Sequence, residues 1–312
     1  MRIHTKWNIA HDCSYSSLFD AILAVRCLTR EDIEVGSEVL HDPKLLKDMD
    51  LAVERILRAI QNSERIMVFG DYDVDGVSST ALMSNFLKDV GAEFLCGLPD
   101  RKKDGYGLKP LAVERALGLG VDLIITVDNG ISAFEGIECA NNNGIDIVVT
   151  DHHKQLGVLP EAVAVVNPNR LDCRYPFKGL AGVGVAFKLV QVLSENFMSS
   201  DKRRIYLNSL LDLVALGTIA DIVPVLGENR VLIKRGLQII NNSARLGLTQ
   251  LKIVAGISQK KITSSVVGYQ ISPRINVAGR IHKPDTALEL LCANTKEDAR
   301  RLAEDLNEQN LF

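Results

Sequence analysis

Five short apolar segments alternate with helical segments between residues 66 and 166, and this alternation restricts the chain to few folds. The apolar segments are Ile66 to Phe69, Glu93 to Leu98, Leu123 to Val127, Ile145 to Val149 and Ala162 to Val166. Helical periodicity separates them at residues 77–90, 109–119 and 133–143. Nearly continuous apolar strands between amphipathic helices are typical of parallel sheets that are covered on both faces. The pattern predicts an α/β fold with a doubly wound, mostly parallel sheet flanked by helices, followed by a helical C-terminal part.

The first strand leads into a turn that carries three aspartates. The stretch from Arg65 to Thr80 predicts a strand, a glycine turn with Asp71, Asp73 and Asp75, and a helix whose start is capped by small polar residues. Carboxylates this close together repel one another strongly unless a cation lies among them. We expect that cation to be a metal ion.

Two other kinds of acidic loop share part of this pattern. An EF-hand loop needs a glutamate at its twelfth position, but the twelfth residue from Asp71 is Leu82, and a strand precedes the loop. We therefore reject the EF-hand. In an aspartyl-phosphatase of the haloacid dehalogenase type, the first aspartate would be a nucleophile. This alternative stays open, and it predicts a covalent phospho-aspartate with no need for histidines.

Polar residues also follow the later strands. Asp128 follows the third strand, Asp151, His152 and His153 follow the fourth, and Asn167 follows the fifth. In an open parallel sheet, ligands bind outside the carboxyl ends of the strands. Carboxylates with one or two imidazoles and no cysteine favour Mn²⁺, with Mg²⁺ as the alternative and zinc less favoured. A carboxylate that bridges two ions is the arrangement used to hydrolyse phosphate esters, so we expect metal-assisted phosphoester hydrolysis.

Composition is that of an ordinary globular protein. The 312 residues are 46% hydrophobic and 24% charged, with a net charge of -3, which does not decide whether nucleic acid is the partner. The six cysteines include no Cys-x-x-Cys pair and predict buried thiols in a reducing compartment. No apolar stretch approaches the roughly 20 residues of a spanning helix, and the N-terminus lacks a signal-peptide pattern. We expect a cytoplasmic chain with no membrane partner.

Three motifs carry a family resemblance. Gly-Asp-Tyr-Asp-Val-Asp-Gly at residues 70–76, Thr-Val-Asp-Asn-Gly-Ile at 126–131 and Thr-Asp-His-His-Lys at 150–154 resemble the first three motifs of the DHH phosphoesterase superfamily. More specifically, they resemble its RecJ-type single-strand-specific exonucleases. Blocks at residues 175–184, 217–224 and 272–280 match that subfamily in order and spacing, so the resemblance runs from about residue 42 to the end of the chain.

The resemblance implies a 5′ to 3′ exonuclease that releases mononucleotides from single-stranded DNA, in DNA repair and recombination, with Mn²⁺ or Mg²⁺ as a pair of ions. Asp128 would bridge the two ions, and Asp71 would bind directly or through water. The implied metal ligands are Asp71, Asp73, Asp75, Asp128, His152 and Asp221. Asp221 rests on the resemblance, because alone it would be an ordinary loop aspartate.

The resemblance also implies roles for residues around the metals. His153 would donate a hydrogen bond to the scissile phosphate, and Asp151 would orient an imidazole. With Asp128 these two form the predicted catalytic set. The residues predicted to bind substrate are Ser272, Arg274, Asn276 and Arg280, which we place in a loop punctuated by proline and glycine.

The resemblance divides the chain into three parts. An N-terminal arm takes residues 1–45, the DHH catalytic domain takes 46–294 and becomes more helical from about residue 180, and a connecting helix begins at 295. This helix starts at a Thr295 capping box and meets no stop signal before Phe312, so we expect a truncation before the companion DHHA1 domain. The expected partner is single-stranded DNA, bound by a monomer, and single-strand-binding protein is the accessory partner to consider.

Some alternatives remain. A related DHH phosphoesterase would act on short oligonucleotides, cyclic dinucleotides or pyrophosphate, and a non-catalytic binding module would tend to lose the motif acids that this chain retains. Two residues depart from the family pattern, Asn129 in place of a cysteine and Asp104 in place of a glutamate. Gly182 and Gly184 open an apolar helix that either presents N–H groups to a phosphate or simply packs closely. No strand immediately precedes these glycines, which argues against a Rossmann dinucleotide site.

Overall fold

The computed structural model describes residues 15–99, 105, 107–243, 245–280 and 285–311, without the side chains of Ser37, Ser243 and Arg280. The strands are β1 (Ile66–Phe69), β2 (Phe94–Gly97), β3 (Leu123–Val127), β4 (Asp146–Thr150) and β5 (Ala164–Val166). The helices up to the end of the sheet are α1 (Leu18–Val25), α2 (Arg30–Ile33), α3 (Met49–Gln61), α4 (Val74–Asp89), α5 (Pro110–Gly118) and α6 (Phe134–Asn142).

The later part of the chain contains helices, turns and loops, and none of its described residues is in a strand. Its α-helices are α7 (Gly182–Leu193), α8 (Ser200–Ser209), α9 (Leu211–Ala220), α10 (Gly227–Ser243), α11 (Leu246–Val254), α12 (Ser264–Val266), α13 (Ser272–Asn276), α14 (Asp285–Leu291) and α15 (Lys296–Asn310). Short 3-10 turns lie at Ser37–Val39, Pro43–Leu45, Ser194–Asn196 and Ala278–Arg280, and a π turn lies at Val267–Ile271. As the sequence predicts, Thr295 caps α15 by accepting a hydrogen bond from the Asp298 N–H.

The five strands form one parallel sheet in the order β2-β1-β3-β4-β5. The predicted doubly wound α/β fold is therefore confirmed, and β1 and β3 have the predicted bounds. The strands β2, β4 and β5 differ from the prediction by one or two residues at their ends. A continuous apolar run marks the centre of a strand more sharply than its ends, where pairing stops.

Side chains that alternate along each strand enter two separate cores. In β1, Ile66 and Val68 join a core with residues of α3, α4 and α7, whereas Met67 and Phe69 join a second core with residues of α5 and α6. Successive residues of a strand point to opposite faces, so each strand must be apolar at every position. Burial on both faces therefore explains why the sequence shows unbroken apolar runs.

The strand order creates a crevice at the carboxyl ends of β1 and β3. After β1 the chain passes to α4 on one face, and after β3 it passes to α6 on the other. The two loops diverge there, which is the position where doubly wound sheets bind ligands. The turn after β1 and the turn after β3 line this crevice.

The helix α9 connects the sheet to the helical part. Residues Leu211 to Thr218 are all buried, and the helix packs between α4 and α10. A helix that is apolar around its whole circumference belongs in the interior. Its C-terminal end carries Asp221 as the C-cap, so this aspartate is not an ordinary loop residue.

Two predicted local structures are wrong in detail. The helix α4 begins at Val74 rather than Val77, because the Asp73 side chain caps it by accepting a hydrogen bond from the Gly76 N–H at 3.0 Å. The cap is thus an aspartate of the motif and not the small polar residues after it. Residues 272–280 form the short helix α13 and a 3-10 turn rather than a loop, since Pro273 lies in the first turn, where its missing N–H costs nothing.

The described cysteines, Cys27, Cys96, Cys139, Cys173 and Cys292, are all free thiols, but only Cys173 among them is buried, so the prediction of buried thiols is wrong for the other four. Within the described ranges, no helix is both long enough and apolar enough to cross a membrane.

Candidate metal centre

Acidic and histidine side chains from separate parts of the chain converge at the crevice. Three overlapping groups bring their ligand atoms within 4.8 Å of one another. The groups are Asp71 with Asp73 and Asp128, Asp75 with His152 and Asp221, and Asp128 with His152 and His153. Every residue that the sequence predicts as a metal ligand belongs to at least one group, and Asp128 and His152 each belong to two.

Asp128 connects the first group, which contains Asp71 and Asp73, with the second group, which contains Asp75, His152 and Asp221. It follows β3 in a left-handed conformation, with φ of 62°, which aspartate tolerates better than most residues. Its Oδ1 lies 3.2 Å from Nε2 of His152, and its side chain is buried. Asp128 would be shared by two cations if both neighbouring groups held one, and this bridging role stays a prediction.

The second group is assembled from three distant segments. Nε2 of His152 lies 4.0 Å from Oδ2 of Asp75 and 3.6 Å from Oδ2 of Asp221. Asp75 is in the first turn of α4, His152 follows β4, and Asp221 caps the end of α9. The packing of α9 against α4 is what brings Asp221 to the sheet edge.

The start of α7 holds the Asp75 carboxylate. The N–H of Gly182 donates to Oδ2 of Asp75 at 2.7 Å, and the N–H of Val183 donates to Oδ1 at 3.0 Å. These N–H groups have no partner within their own helix, and the helix dipole favours a negative charge there. The sequence analysis offers two interpretations of the Gly182 and Gly184 segment, phosphate binding or close packing. Neither predicts these hydrogen bonds, because the N–H groups bind a carboxylate of the protein itself.

Two glycines leave the space that the carboxylates fill. A Cβ on Gly182 would lie 2.3 Å from Oδ1 of Asp128, and a Cβ on Gly217 would lie 2.5 Å from Oδ1 of Asp75. Both distances are far shorter than a van der Waals contact. Any other residue at Gly182 or Gly217 would displace a predicted ligand.

Asp151 organises the loop that carries the two histidines. Its Oδ1 accepts hydrogen bonds from the N–H groups of His152 and His153, at 2.7 and 3.0 Å, and lies 2.7 Å from Nδ1 of His153. Its Oδ2 accepts from the N–H of Ile131 at 2.9 Å, which ties the loop to the turn after β3. The imidazole that Asp151 holds is therefore that of His153. Asn167 holds the same loop from β5, since its Nδ2 donates to the His153 carbonyl at 2.9 Å.

Burial and mutual repulsion raise the pKa values of the carboxyl groups in the cluster. Burial, with the nearby Asp73 charge, raises the pKa of Asp71 to about 7. The same causes raise the pKa of Asp221 to about 6. The pKa values of Asp75 and Asp128 rise well above the ordinary range, first because of burial and then because of neighbouring aspartates. At an effective dielectric constant of 20, two like charges 4 Å apart cost about 4 kcal/mol, so the cluster is unfavourable without a cation.

The two histidines titrate in opposite directions. Burial and the neighbouring His153 lower the pKa of His152 to about 4, so His152 is a neutral imidazole, the form that binds metals. The hydrogen bond to Asp151 raises the pKa of His153 despite burial. Burial acts to raise the pKa of Asp151, but the interactions with His153 outweigh it, so that this pKa is lowered. The pair Asp151 and His153 thus favours an ionised carboxylate beside a protonated imidazole.

The donor atoms of the second group fit a metal ion. Nε2 of His152 and Oδ2 of Asp221 are buried, and neither has a hydrogen-bond partner within the described part of the chain. Buried polar atoms are almost always paired, so two such atoms 3.6 Å apart imply a missing partner. A lone pair from a neutral imidazole and a carboxylate oxygen can both be satisfied by one cation.

The residues predicted to bind substrate lie on α13 and the turn after it. Oδ1 of Asn276 accepts a hydrogen bond from the Val74 N–H at 3.1 Å, so Asn276 supports the turn that carries Asp73 and Asp75. Arg274 donates to the Gln270 carbonyl at 2.6 Å and, through Nε, to Oδ1 of Asn307 at 2.9 Å.

The other two residues predicted to bind substrate are Ser272 and Arg280. Ser272 is buried, and its Oγ has no hydrogen-bond partner within the described residues. The side chain of Arg280 lies outside the described part of the structure, as does Asp104. Roles for all four residues in binding a substrate stay predictions.

The sequence predicts the residues of the cluster, but it does not predict the contacts that hold their side chains in place. The α7 N–H groups, the space at Gly217 and the bond from Asn276 to Val74 all join segments that are far apart in the chain. Among these contacts, only the one at the start of α7 has a local signal in the sequence. The glycines there indicate that another group packs closely against the backbone, but they do not identify that group as the Asp75 carboxylate.

Comparison with known proteins gives consistent results. The model of the DHH family, N-terminal domain, matches residues 65–218. The single-stranded-DNA-specific exonuclease RecJ of Dickeya dadantii is 42% identical over 288 residues, which are 90% of this chain and 50% of that protein. This chain therefore spans about half the length of that relative.

Solved structures show the same similarity. Exonuclease RecJ bound to manganese superposes with a TM-score of 0.77 at 33% identity, over 88% of this chain and 67% of the other. RecJ from Thermus thermophilus in complex with Mn²⁺ superposes with a TM-score of 0.76 at 31% identity, over 94% of this chain and 41% of the other.

Proposed function

This chain belongs to the RecJ branch of the DHH family, and we propose that it is the catalytic part of a metal-dependent exonuclease. The proposed reaction is 5′ to 3′ hydrolysis of single-stranded DNA to mononucleotides, in DNA repair and recombination. The observation that carries the proposal is the carboxylate of Asp128, which belongs to the group with Asp71 and Asp73 and lies 3.2 Å from His152 of the group with Asp75 and Asp221. Two adjacent cation sites joined by one carboxylate suit phosphodiester hydrolysis.

We assign the ligands by group. Asp71, Asp73 and Asp128 would hold one divalent ion, and Asp75, Asp128, His152 and Asp221 would hold the other. Oxygen-rich sites with a single imidazole suit Mn²⁺ or Mg²⁺, and the related exonuclease structure contains manganese. Such ions, when bound, lower the pKa of water and stabilise negative charge that develops on a phosphate.

His153 and Asp151 supply the proton-donating group of the proposed site. Asp151 holds Nδ1 of His153 and favours the protonated ring, so Nε2 would carry the proton that reaches a phosphate oxygen. His153 keeps 47% of its side chain exposed, whereas His152 keeps 12%. This difference supports one histidine facing substrate and the other facing metal.

The proposal also covers the domains, the partners and the location of the chain. Residues 46–294 would form the catalytic domain, residues 1–45 an N-terminal arm whose first 14 residues lie outside the described part of the chain, and 295–312 the start of a connecting helix. The arm is held by contacts such as that of Arg230, whose Nε donates to the Ile33 carbonyl at 2.6 Å. We propose single-stranded DNA as the partner, a monomer as the active form, single-strand-binding protein as an accessory partner, and a cytoplasmic location that suits the free cysteines.

The proposal is tested on 5′-labelled single-stranded DNA incubated with Mn²⁺, Mg²⁺ or EDTA. We expect labelled mononucleotide only when metal is present, no release from a duplex with blunt ends, and no release by Asp128→Ala. Metal-independent release, or equal activity of Asp128→Ala, would contradict the two-metal assignment. Products longer than a mononucleotide, or hydrolysis of cyclic dinucleotides alone, would instead favour another DHH phosphoesterase.

A further inference from the structure

Ile222 has an unfavourable backbone conformation beside the metal centre. It follows Asp221, the C-cap of α9, and has φ of 61°. Helices commonly end with a left-handed residue at this position, and that residue is usually glycine. An isoleucine is a true outlier there because its branched Cβ crowds the backbone.

Packing does not offset this strain. The residue is 88% exposed, so its side chain gains little from contact with the core. The other residues with positive φ, apart from glycines, are Cys27, Asp48, Ser63 and Asp128 among those described, and none of them is β-branched. Strained residues that persist cluster at functional sites, where the side chain or the geometry serves a ligand.

Ile222 directly follows a predicted metal ligand in the chain. Oδ2 of Asp221 points into the cluster, 3.6 Å from Nε2 of His152, and the Cα of Ile222 follows that of Asp221 at about 3.8 Å. Ile222 is therefore an exposed residue that is next in the chain to a predicted metal ligand. A substrate whose phosphate reached the ions would bring its neighbouring sugar or base close to this residue.

We propose that Ile222 contacts the base or the deoxyribose of the nucleotide next to the scissile phosphate, and so favours single strands. The inference rests on the proposed exonuclease function and adds a specificity-determining residue to it. An unstacked base offers its apolar face, whereas stacking in a duplex covers that face. An aliphatic side chain makes this contact with any of the four bases, so it selects strandedness without selecting sequence.

Three substitutions of Ile222 distinguish the loss of its contact with the nucleotide from the relief of its backbone strain. Ile222→Gly removes both, Ile222→Asn relieves the strain and replaces the aliphatic group by a polar one, and Ile222→Val keeps most of the contact. The matched control is Ile205→Asn, an isoleucine of α8 that is 65% exposed. Ile205 lies near Asp89 at the far end of α4, about 20 Å along that helix from Asp75.

The variants are compared by melting temperature, by Mn²⁺ affinity from the electron paramagnetic resonance signal of the free ion, and by KM and kcat on labelled single-stranded DNA. We expect Ile222→Gly to melt about 2 °C higher than the wild type, as relief of strain predicts. Its KM should rise about tenfold, the loss expected for one aliphatic contact, with kcat and Mn²⁺ affinity within twofold. Ile222→Asn should behave similarly, and Ile222→Val and Ile205→Asn should keep the wild-type KM.

The outcomes distinguish this inference from the function on which it rests. A higher melting temperature with an unchanged KM in both Ile222→Gly and Ile222→Asn would overturn the inference and leave the exonuclease intact. If the wild-type chain turns over no DNA, the comparison is made on the Kd of the labelled oligonucleotide, measured by fluorescence anisotropy with Mn²⁺. Weaker binding by the same two variants would support the contact. A wild-type chain that neither cleaves nor binds DNA would refute the function and the inference together.

Discussion

Replacing Gly182 with alanine should damage the metal centre without damaging the fold. The new Cβ would lie 2.3 Å from Oδ1, 2.5 Å from Cβ and 2.6 Å from Cγ of Asp128. Gly182 itself has no left-handed φ, so the backbone accepts alanine, and the effect comes from the contact alone. The residue that must move is the one we assign as the bridge between two ions.

The size of the effect follows from these distances. The Asp128 side chain must shift by about 1 Å to reach an ordinary contact. Overpacking of this kind costs about 1–3 kcal/mol, and the better helix propensity of alanine returns up to about 1 kcal/mol. The free energy of unfolding should therefore fall by between about 0 and 3 kcal/mol. Mn²⁺ affinity should fall about 10- to 100-fold, and the rate about 100-fold, because ligands tolerate little displacement.

The matched control is Gly184→Ala, in the same turn of α7. A Cβ there would meet Cδ2 of Leu180 at 3.2 Å, and the flexible end of that side chain can give way. Mn²⁺ titrations followed by electron paramagnetic resonance, with urea unfolding in EDTA, compare the two variants. Equal Mn²⁺ affinities in Gly182→Ala, Gly184→Ala and the wild type would refute the role of Asp128 and of the space beside it.

Three further predictions concern other parts of the centre. In EDTA, Asp71→Asn should gain stability relative to the wild type as the pH rises from 4 to 7. The folded wild type holds a proton on Asp71, with a pKa of about 7, that the unfolded chain releases near pH 4, so the wild type loses about 1.4 kcal/mol for each unit of pKa difference. Urea unfolding at several pH values measures the difference, and a constant difference would contradict the raised pKa. His153→Ala should lower kcat at least tenfold and leave Mn²⁺ affinity within a few-fold, as kinetics and metal titration can show; a large loss of Mn²⁺ affinity would make His153 a ligand instead. Asn276→Ala should cost about 1–3 kcal/mol in urea unfolding, because the Val74 N–H loses its acceptor, and unchanged stability would show that this bond contributes nothing.

Much of the fold is predictable from the sequence because the central strands are buried on both faces. The bounds of β1 and β3 follow from largely apolar runs that end at Gly70 and at Asp128. The start of α4 is harder to place, since Asp73 has two roles, as a candidate ligand and as the helix cap. The helical form of residues 272–276 is harder still, because Pro273 suggests a loop until its place in the first turn is known.

The candidate site also has one part that the sequence predicts and another part that it does not. Asp71, Asp128 and Asp151 follow strands of one parallel sheet, so the topology alone predicts that they meet. The hydrogen bond from Gly182 to Asp75 spans 107 residues, and that from Val74 to Asn276 spans 202. Contacts of such separation depend on how helices pack, and neither periodicity nor turn chemistry contains that information.

The two helix ends beside Asp75 and Asp221 have opposite effects on the charge of these carboxylates. Asp75 lies at the N-terminus of α7, where two N–H groups and the positive end of the dipole favour its charge. Asp221 lies at the C-terminus of α9, where the negative end of the dipole opposes its charge. Burial and the Asp73 charge raise its pKa to about 6. Helix ends therefore stabilise one carboxylate of the group and destabilise the other. A divalent ion beside Asp221 would neutralise both the carboxylate and the helix end, and it would join the sheet edge to the helical part of the chain through a single set of ligands.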